Sequence, residues 1–178
     1  RYTKQVSAGA PLLTPIWILG SGANVLISDK GLPGTTLKLD LDDIEFSEDG
    51  IVKAGAGANW DTLVNASIGE GLWGLELMSG IPGTVGAAVV GNIAAYGQAV
   101  SDSLHSIEVI DLNDAEPTPK SLPASELDLG YRSSAFTKGQ MNGVIILTAT
   151  FVLAESATQE LKYNSALEVA KELELDPS

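Results

Sequence analysis

The 178-residue chain contains no cysteine, a single histidine, and no lysine or arginine anywhere between Ala54 and Pro119. Each gap removes a class of chemistry. Without cysteine there are no disulfides, no thiolate metal ligands and no cysteine nucleophile, a composition that suits a reducing compartment. His105 alone cannot build a histidine metal site, and its place beside a strand-like segment reads as surface, so no metal is expected. No glycine–lysine pair occurs, which removes the P-loop, and no G-x-S-x-G turn marks a serine hydrolase. No apolar run approaches the ~20 residues that cross a bilayer, and no basic-then-apolar leader opens the chain. The net charge of −13, from 23 acidic against 10 basic residues, argues against nucleic acid, whose phosphates are held mainly by Lys and Arg. Neither nucleic acid nor membrane is an expected partner.

What is present is an ordinary globular composition, 44% hydrophobic and 19% charged, long enough for one domain or two small ones sharing a core. IWIL (16–19) and VLIS (25–28) read as strands around a GSGAN loop, and TTLKLDL and IVKAGAG read as further strands, with SEDG (47–50) as a turn. Asn59 or Asp61 is placed to cap a helix through about Gly69, with Trp60, Leu63, Val64 and Ile68 at helical spacing. Pro82 stands where a second, small-residue helix could begin. HSIEVIDL (105–112) and VIILTATFVL (144–153) read as strands, PASELDL (123–129) as a short helix, and NSALEVAKELEL (164–175) as an amphipathic helix. Short strands on both sides of a glycine-rich centre make an α+β protein.

Three loops then stand out: GSGAN (20–24), GAGAN (55–59) and the stretch from Gly80 to Gly97, which holds five glycines. Any one of them alone is ordinary turn punctuation. Together, in a region nearly free of cations, they suggest a ligand held by backbone. Successive amides from Gly20 through Ser21, Gly22 and Ala23 to Asn24 can form an anion-binding concavity, and Asn24 adds side-chain donors. A flat ring could then lie on the small residues of 80–97. GSGANV is not a Rossmann fingerprint, because Val25 replaces the third glycine and a strand-like segment follows in place of a helix.

ILGSGANVLISDKGLPGTTLKL, GAGANWDTLV, GLWGLELMSGIPGTVGAA, NIAAYGQ and LGYRSSAF, in this order and spacing, resemble the UDP-N-acetylenolpyruvoylglucosamine reductase family over roughly residues 16–175. The resemblance implies a two-subdomain FAD-binding fold of the vanillyl-alcohol-oxidase/PCMH type. It divides the 1–178 FAD-binding region at about residues 1–55 and 56–155, with 156–178 opening a substrate region that continues beyond the chain. It implies non-covalent FAD, with pyrophosphate on Gly20–Asn24 extended to Val25 and Leu26. The isoalloxazine is implied along Gly80, Ile81, Pro82, Gly83, Thr84, Gly86 and Ala87, and along Asn92, Ile93, Tyr96 and Gly97. Arg132, in Tyr131-Arg132-Ser133-Ser134-Ala135-Phe136, is implied as the catalytic arginine, with Tyr131, Arg132 and Tyr163 binding substrate. NADPH as hydride donor, a UDP-sugar substrate, peptidoglycan synthesis and a bacterial cytoplasmic setting come with the family, as does the expectation that this portion alone does not complete the reaction. Ala94, Gly91 and Ser133 depart from the family pattern, where Gly, Gln and Asp are common. Two alternatives stay open: another flavin oxidoreductase of this fold, and a binding module that keeps the fold without the cofactor.

Overall fold

In the computed structural model, residues 15–156 are described, together with 167–168 and 171–172. The elements run β1 (Ile16–Leu19), β2 (Thr35–Lys38), β3 (Ile44–Phe46), β4 (Ile51–Gly55), α1 (Trp60–Gly69), α2 (Val85–Gly91), β5 (Ala94–Ala95), β6 (Gln98–Ala99), α3 (Val100–Ser103), β7 (Leu104–Asp111), β8 (Lys120–Pro123) and β9 (Val144–Val152). The mixture is α+β, as the sequence implies.

Two lobes follow from sheet membership. β1 and β2 pair in parallel, Ile16 opposite Thr35, so the chain must cross over through residues 20–34. The second lobe is a five-stranded antiparallel sheet in the order β3-β4-β9-β7-β8. The change of sheet falls before Ile44, ahead of the expected division near residue 55, because β4 pairs with β9 (Val52 opposite Phe151) and carries β3 with it.

The core lies between one face of this sheet and α1 and α2. α1 buries Trp60, Leu63, Val64 and Ser67, while Ile68 stays exposed. The inward place near the helix end is taken by Ser67, whose hydroxyl returns to the Leu63 carbonyl at 2.9 Å. Trp60 is fully buried, meets Phe151 edge-on at 6.2 Å between ring centroids, and donates from Nε1 to Met78 O at 3.0 Å. Burying such side chains contributes about 1.5–3 kcal/mol each. Asn59 is the α1 cap, accepting from Thr62 N at 2.9 Å.

Three expectations are corrected. Residues 25–28 form no strand: they lie in the crossover with no ladder partner, and Leu26 is wholly exposed. α2 does not begin at Pro82. Asn59 bridges Thr84, and Val85 N donates to Ala58 O at 2.9 Å, which keeps the chain extended up to Thr84. Thr84 is therefore the cap, its hydroxyl accepting from Ala87 N at 3.4 Å. PASELDL shortens to a single turn over Ala124–Glu126. Of the 164–175 segment, the described residues 167–168 and 171–172 are helical.

Candidate functional site

A cleft of about 530 Å³ opens between the lobes. One side is the loop after β1, Gly20 to Val25; another is the approach to α2 and its first turns; a third is the turn before β9 and that strand's start, residues 141–146. Among the described residues, Arg132 is the only charged one in its lining.

The glycines show why these walls can meet. A Cβ on Gly20 would sit 2.9 Å from the Thr84 hydroxyl and 3.6 Å from the Ala87 methyl, so the loop rests directly on the start of α2. Gly22, at φ +81°, and Gly83, at φ +145°, have open space where a side chain would be. Among the described residues, no hydrogen bond engages the amides of Ser21, Gly22, Ala23, Asn24 or Val25. A run of unengaged donors beside an apolar cavity suits an anionic group that accepts from backbone.

GAGAN has a different task. Gly55 and Gly57 let segment 39–43 cross closely, with Gly57 N donating to Leu41 O and Gly55 N to Asp43 O, both at 2.8 Å. Gly86 N donates to Ala56 O and Trp60 N to Gly83 O, at 2.9 and 3.2 Å, tying α2 to the same strut. Ala56 and Gly57 reach the cleft lining, but the amides of Gly55, Ala56, Gly57 and Ala58 are spent on the fold.

Of the residues expected at the cofactor, Gly20, Ser21, Gly22, Ala23, Asn24, Val25, Pro82, Gly83, Thr84, Gly86, Ala87 and Ile93 line the cleft. Leu26, Gly80, Ile81, Asn92, Tyr96 and Gly97 do not. Gly80 is held from behind. Its amide and the Ser79 hydroxyl donate to Asp61 Oδ1 at 2.6 and 2.9 Å, and these bonds, the Gly80 amide first, lower the Asp61 pKa. Asn92 is buried with both ends of its amide occupied.

Arg132 sits at the tip of a tight turn closed by reciprocal backbone bonds, Gly130 N to Ser133 O at 3.0 Å and Ser133 N to Gly130 O at 3.1 Å. Its φ of +52° is the left-handed region, a strained state for arginine that persists only when the surroundings enforce it. Ser134 enforces it on one side, its hydroxyl donating to Val90 O at 2.6 Å. The nearby Asp128 carboxylate pairs with Lys138 at 2.6 Å. Among the described residues Arg132 has no ion pair. Tyr131 is 92% exposed and outside the cleft lining, and Tyr163 lies outside the described residues.

Sequence reasoning missed the third wall. Leu39, Phe136, Met141 and Val144–Ile146 line the cleft. Gly143, at φ +83°, is pressed against the Asn113 side chain, itself fixed by Asp111 Oδ1 at 2.8 Å. Its one available signal was Asn142-Gly143, a turn pair just before an apolar strand.

An α+β fold in two lobes, with a cleft of unengaged amides and small residues between them, defines a cofactor-binding domain. The FAD binding domain family matches residues 12–117, more than half of the chain, and the chain belongs to that family. Within it, the chain is similar to part of the UDP-N-acetylenolpyruvoylglucosamine reductases. The reductase of Mycobacterium avium is 37% identical over 166 residues, 90% of this chain and 43% of that protein. The reductase of Xanthomonas campestris pv. campestris (strain B100) is 43% identical over 150 residues, 82% and 41% of the two chains. The solved UDP-N-acetylenolpyruvylglucosamine reductase of Thermus caldophilus superposes with a TM-score of 0.67 at 28% identity, over 92% of this chain and 57% of that one. Cholesterol oxidase of B. sterolicum, at 14% identity and a TM-score of 0.53 over 78% and 29%, shares the fold alone, the two-subdomain type expected. The chain spans about two fifths of the length of the curated relatives it matches.

Proposed function

We propose that this chain is the FAD-binding portion of an NADPH-dependent reductase that converts UDP-N-acetylenolpyruvoylglucosamine to UDP-N-acetylmuramate in the bacterial cytoplasm, for peptidoglycan synthesis. The observation that carries the reading is one cleft combining a loop of unengaged amides with, among the described residues, a single cation, Arg132. Backbone from Gly20 to Val25 would hold the pyrophosphate, and the small residues Pro82, Gly83, Gly86 and Ala87 leave room for a flat ring. Bound there, FAD supplies hydride transfer.

The chain's own residues supply position and charge. Hydride addition to the far carbon of a double bond conjugated with a carboxylate pushes negative charge onto that carboxylate's oxygens. The Arg132 guanidinium, permanently charged and planar, offers paired donors to such a group. Its strained, tethered turn keeps those donors in place before the charge develops, which favours the transition state over the ground state.

Two measurements test this. Purified with FAD, the chain should show flavin absorption; a colourless protein would leave only an empty module. In an enzyme complete enough to turn over, Arg132→Ala should lose about 100- to 1,000-fold in turnover of the enolpyruvyl substrate. FAD content and the rate of reduction by NADPH should stay as in the parent. If reduction by NADPH fell and substrate turnover did not, the role assigned to Arg132 would be wrong.

A further inference from the structure

Asn92 ends α2 in the left-handed conformation, at φ +40° and ψ +61°, a state asparagine tolerates better than any other residue with a side chain except aspartate. It is 3% exposed and absent from the cleft lining, so the contact with cofactor that the resemblance implies is not its evident task. Its side chain instead joins three elements. Nδ2 donates to Gly130 O at 2.8 Å, and Oδ1 accepts from Ser101 N at 3.0 Å, in the first turn of α3. The two partners fix the amide's orientation, since a carbonyl requires a donor and an N–H requires an acceptor. Gly130 is the first residue of the turn that carries Arg132.

We infer that Asn92 is a positioning residue: it fastens the Arg132 turn to the end of α2 and so sets where the guanidinium stands in the cleft. This rests on the reading of Arg132 as a substrate-binding group. The second tether, Ser134 to Val90, also reaches α2, so the turn is held at both ends to the helix that forms one wall of the cleft. Asn92 thereby transmits the placement of α2 to the guanidinium in the lining.

The amide chemistry separates positioning from fold. Asn92→Asp keeps the shape, the tolerance for positive φ and the acceptor for Ser101, but sets a carboxylate oxygen against the Gly130 carbonyl. Asn92→Gly keeps the backbone conformation and loses both bonds. In the FAD-loaded chain, amide NMR signals of residues 131–133 should move in Asn92→Asp while those of α1 stay. Affinity for UDP-N-acetylenolpyruvoylglucosamine, read from perturbation of the flavin spectrum, should fall about tenfold in Asn92→Asp, and by less than about twofold when Arg132 is already alanine. Asn92→Gly should fold and lose affinity in the same way. Unmoved turn signals in both variants would overturn the inference, as would losses that simply add to that of Arg132→Ala. If the parent bound no substrate, that would show that substrate binding needs more than this portion, and the turn signals alone would decide the role of Asn92.

Discussion

The two lobes meet one cleft with opposite means. Among the described residues, none before Gly50 is buried, whereas the core from Val52 to Leu153 holds Trp60, Leu63, Met78, Ile107, Leu127 and Phe151 at or near zero exposure. The first lobe offers backbone: a glycine loop with free amides and a parallel strand pair whose Trp17 and Ile18 are 40% and 46% exposed. The second offers a rigid wall, because its sheet and helices are packed. A group held between them draws donors from the lobe with little core and its platform from the lobe with much. The division has a physical basis: amides can stay unengaged only where water, not apolar packing, surrounds them in the free protein.

The largest effect should come from attacking the packed side. Trp60→Ala removes a fully buried ring, its edge contact with Phe151 and the Met78 hydrogen bond, and should cost about 3–5 kcal/mol in urea unfolding. Trp17→Ala removes a half-exposed ring and its 2.7 Å bond from Nε1 to Pro33 O, and should cost about 1 kcal/mol. Equal costs would mean that the first lobe has a core of its own.

Gly22→Val tests the other side. At φ +81° a β-branched residue is strained by about 1–2 kcal/mol, yet it meets no atom. The second lobe should stay folded while retained flavin, read as the ratio of visible to ultraviolet absorbance, drops. Undiminished flavin would remove the phosphate role from this loop. Gly83→Leu is a poorer probe of ring space, because φ +145° is open essentially to glycine alone. Ala87→Leu fills the same cleft from a regular helical position.

How much of this was legible beforehand follows the same division. Asn59 announced α1, and the patterned segments at 105–112 and 144–153 announced β7 and β9, because cap chemistry and apolar patterning are local. VLIS misled, since its apolar pattern belongs to a crossover whose Val25 lines the cleft and whose Leu26 faces solvent. The start of α2 was displaced by bonds from Ala56 and Ala58, about 28 residues earlier, which no local signal carries. In the site, GSGAN was legible because glycine and asparagine are conspicuous. The Met141–Ile146 wall was not, because cleft-lining and core aliphatic residues look alike in sequence.

Asp61 gives a smaller, pH-dependent effect. Its pKa is lowered from the ordinary 3.8 chiefly by the Gly80 amide and then by Ser79. A lowered folded pKa stabilises the native state above the unfolded value, and this is lost as pH falls through the folded value. The 79–83 approach to the cleft should therefore loosen in acid below the ordinary aspartate range, with flavin released as it does. Asp61→Asn should flatten that dependence and hold flavin less well at neutral pH. An unchanged acid profile in Asp61→Asn would assign acid sensitivity to other carboxylates.

The smallest effect should come from the outer face of the same sheet. Lys53 on β4 and Glu108 on β7 form a 3.2 Å ion pair across β9, where the Thr148 hydroxyl donates to the same carboxylate at 3.4 Å. The side chains are 47% and 36% exposed, so water already solvates both charges and salt screens them. Val52 and Ala54, the neighbours of Lys53 on the opposite face of β4, are completely buried. If the second lobe is rigid because of that inner face, a double-mutant cycle of Lys53→Met and Glu108→Gln should give a coupling of no more than about 0.5 kcal/mol, smaller still in high salt. A coupling above about 1 kcal/mol would show that the polar face braces the sheet as well. The contrast between the lobes would then rest on charge as much as on core, and the acidic first lobe, with Asp40, Asp42 and Asp43 running into β3, would have to be weighed by the same measure.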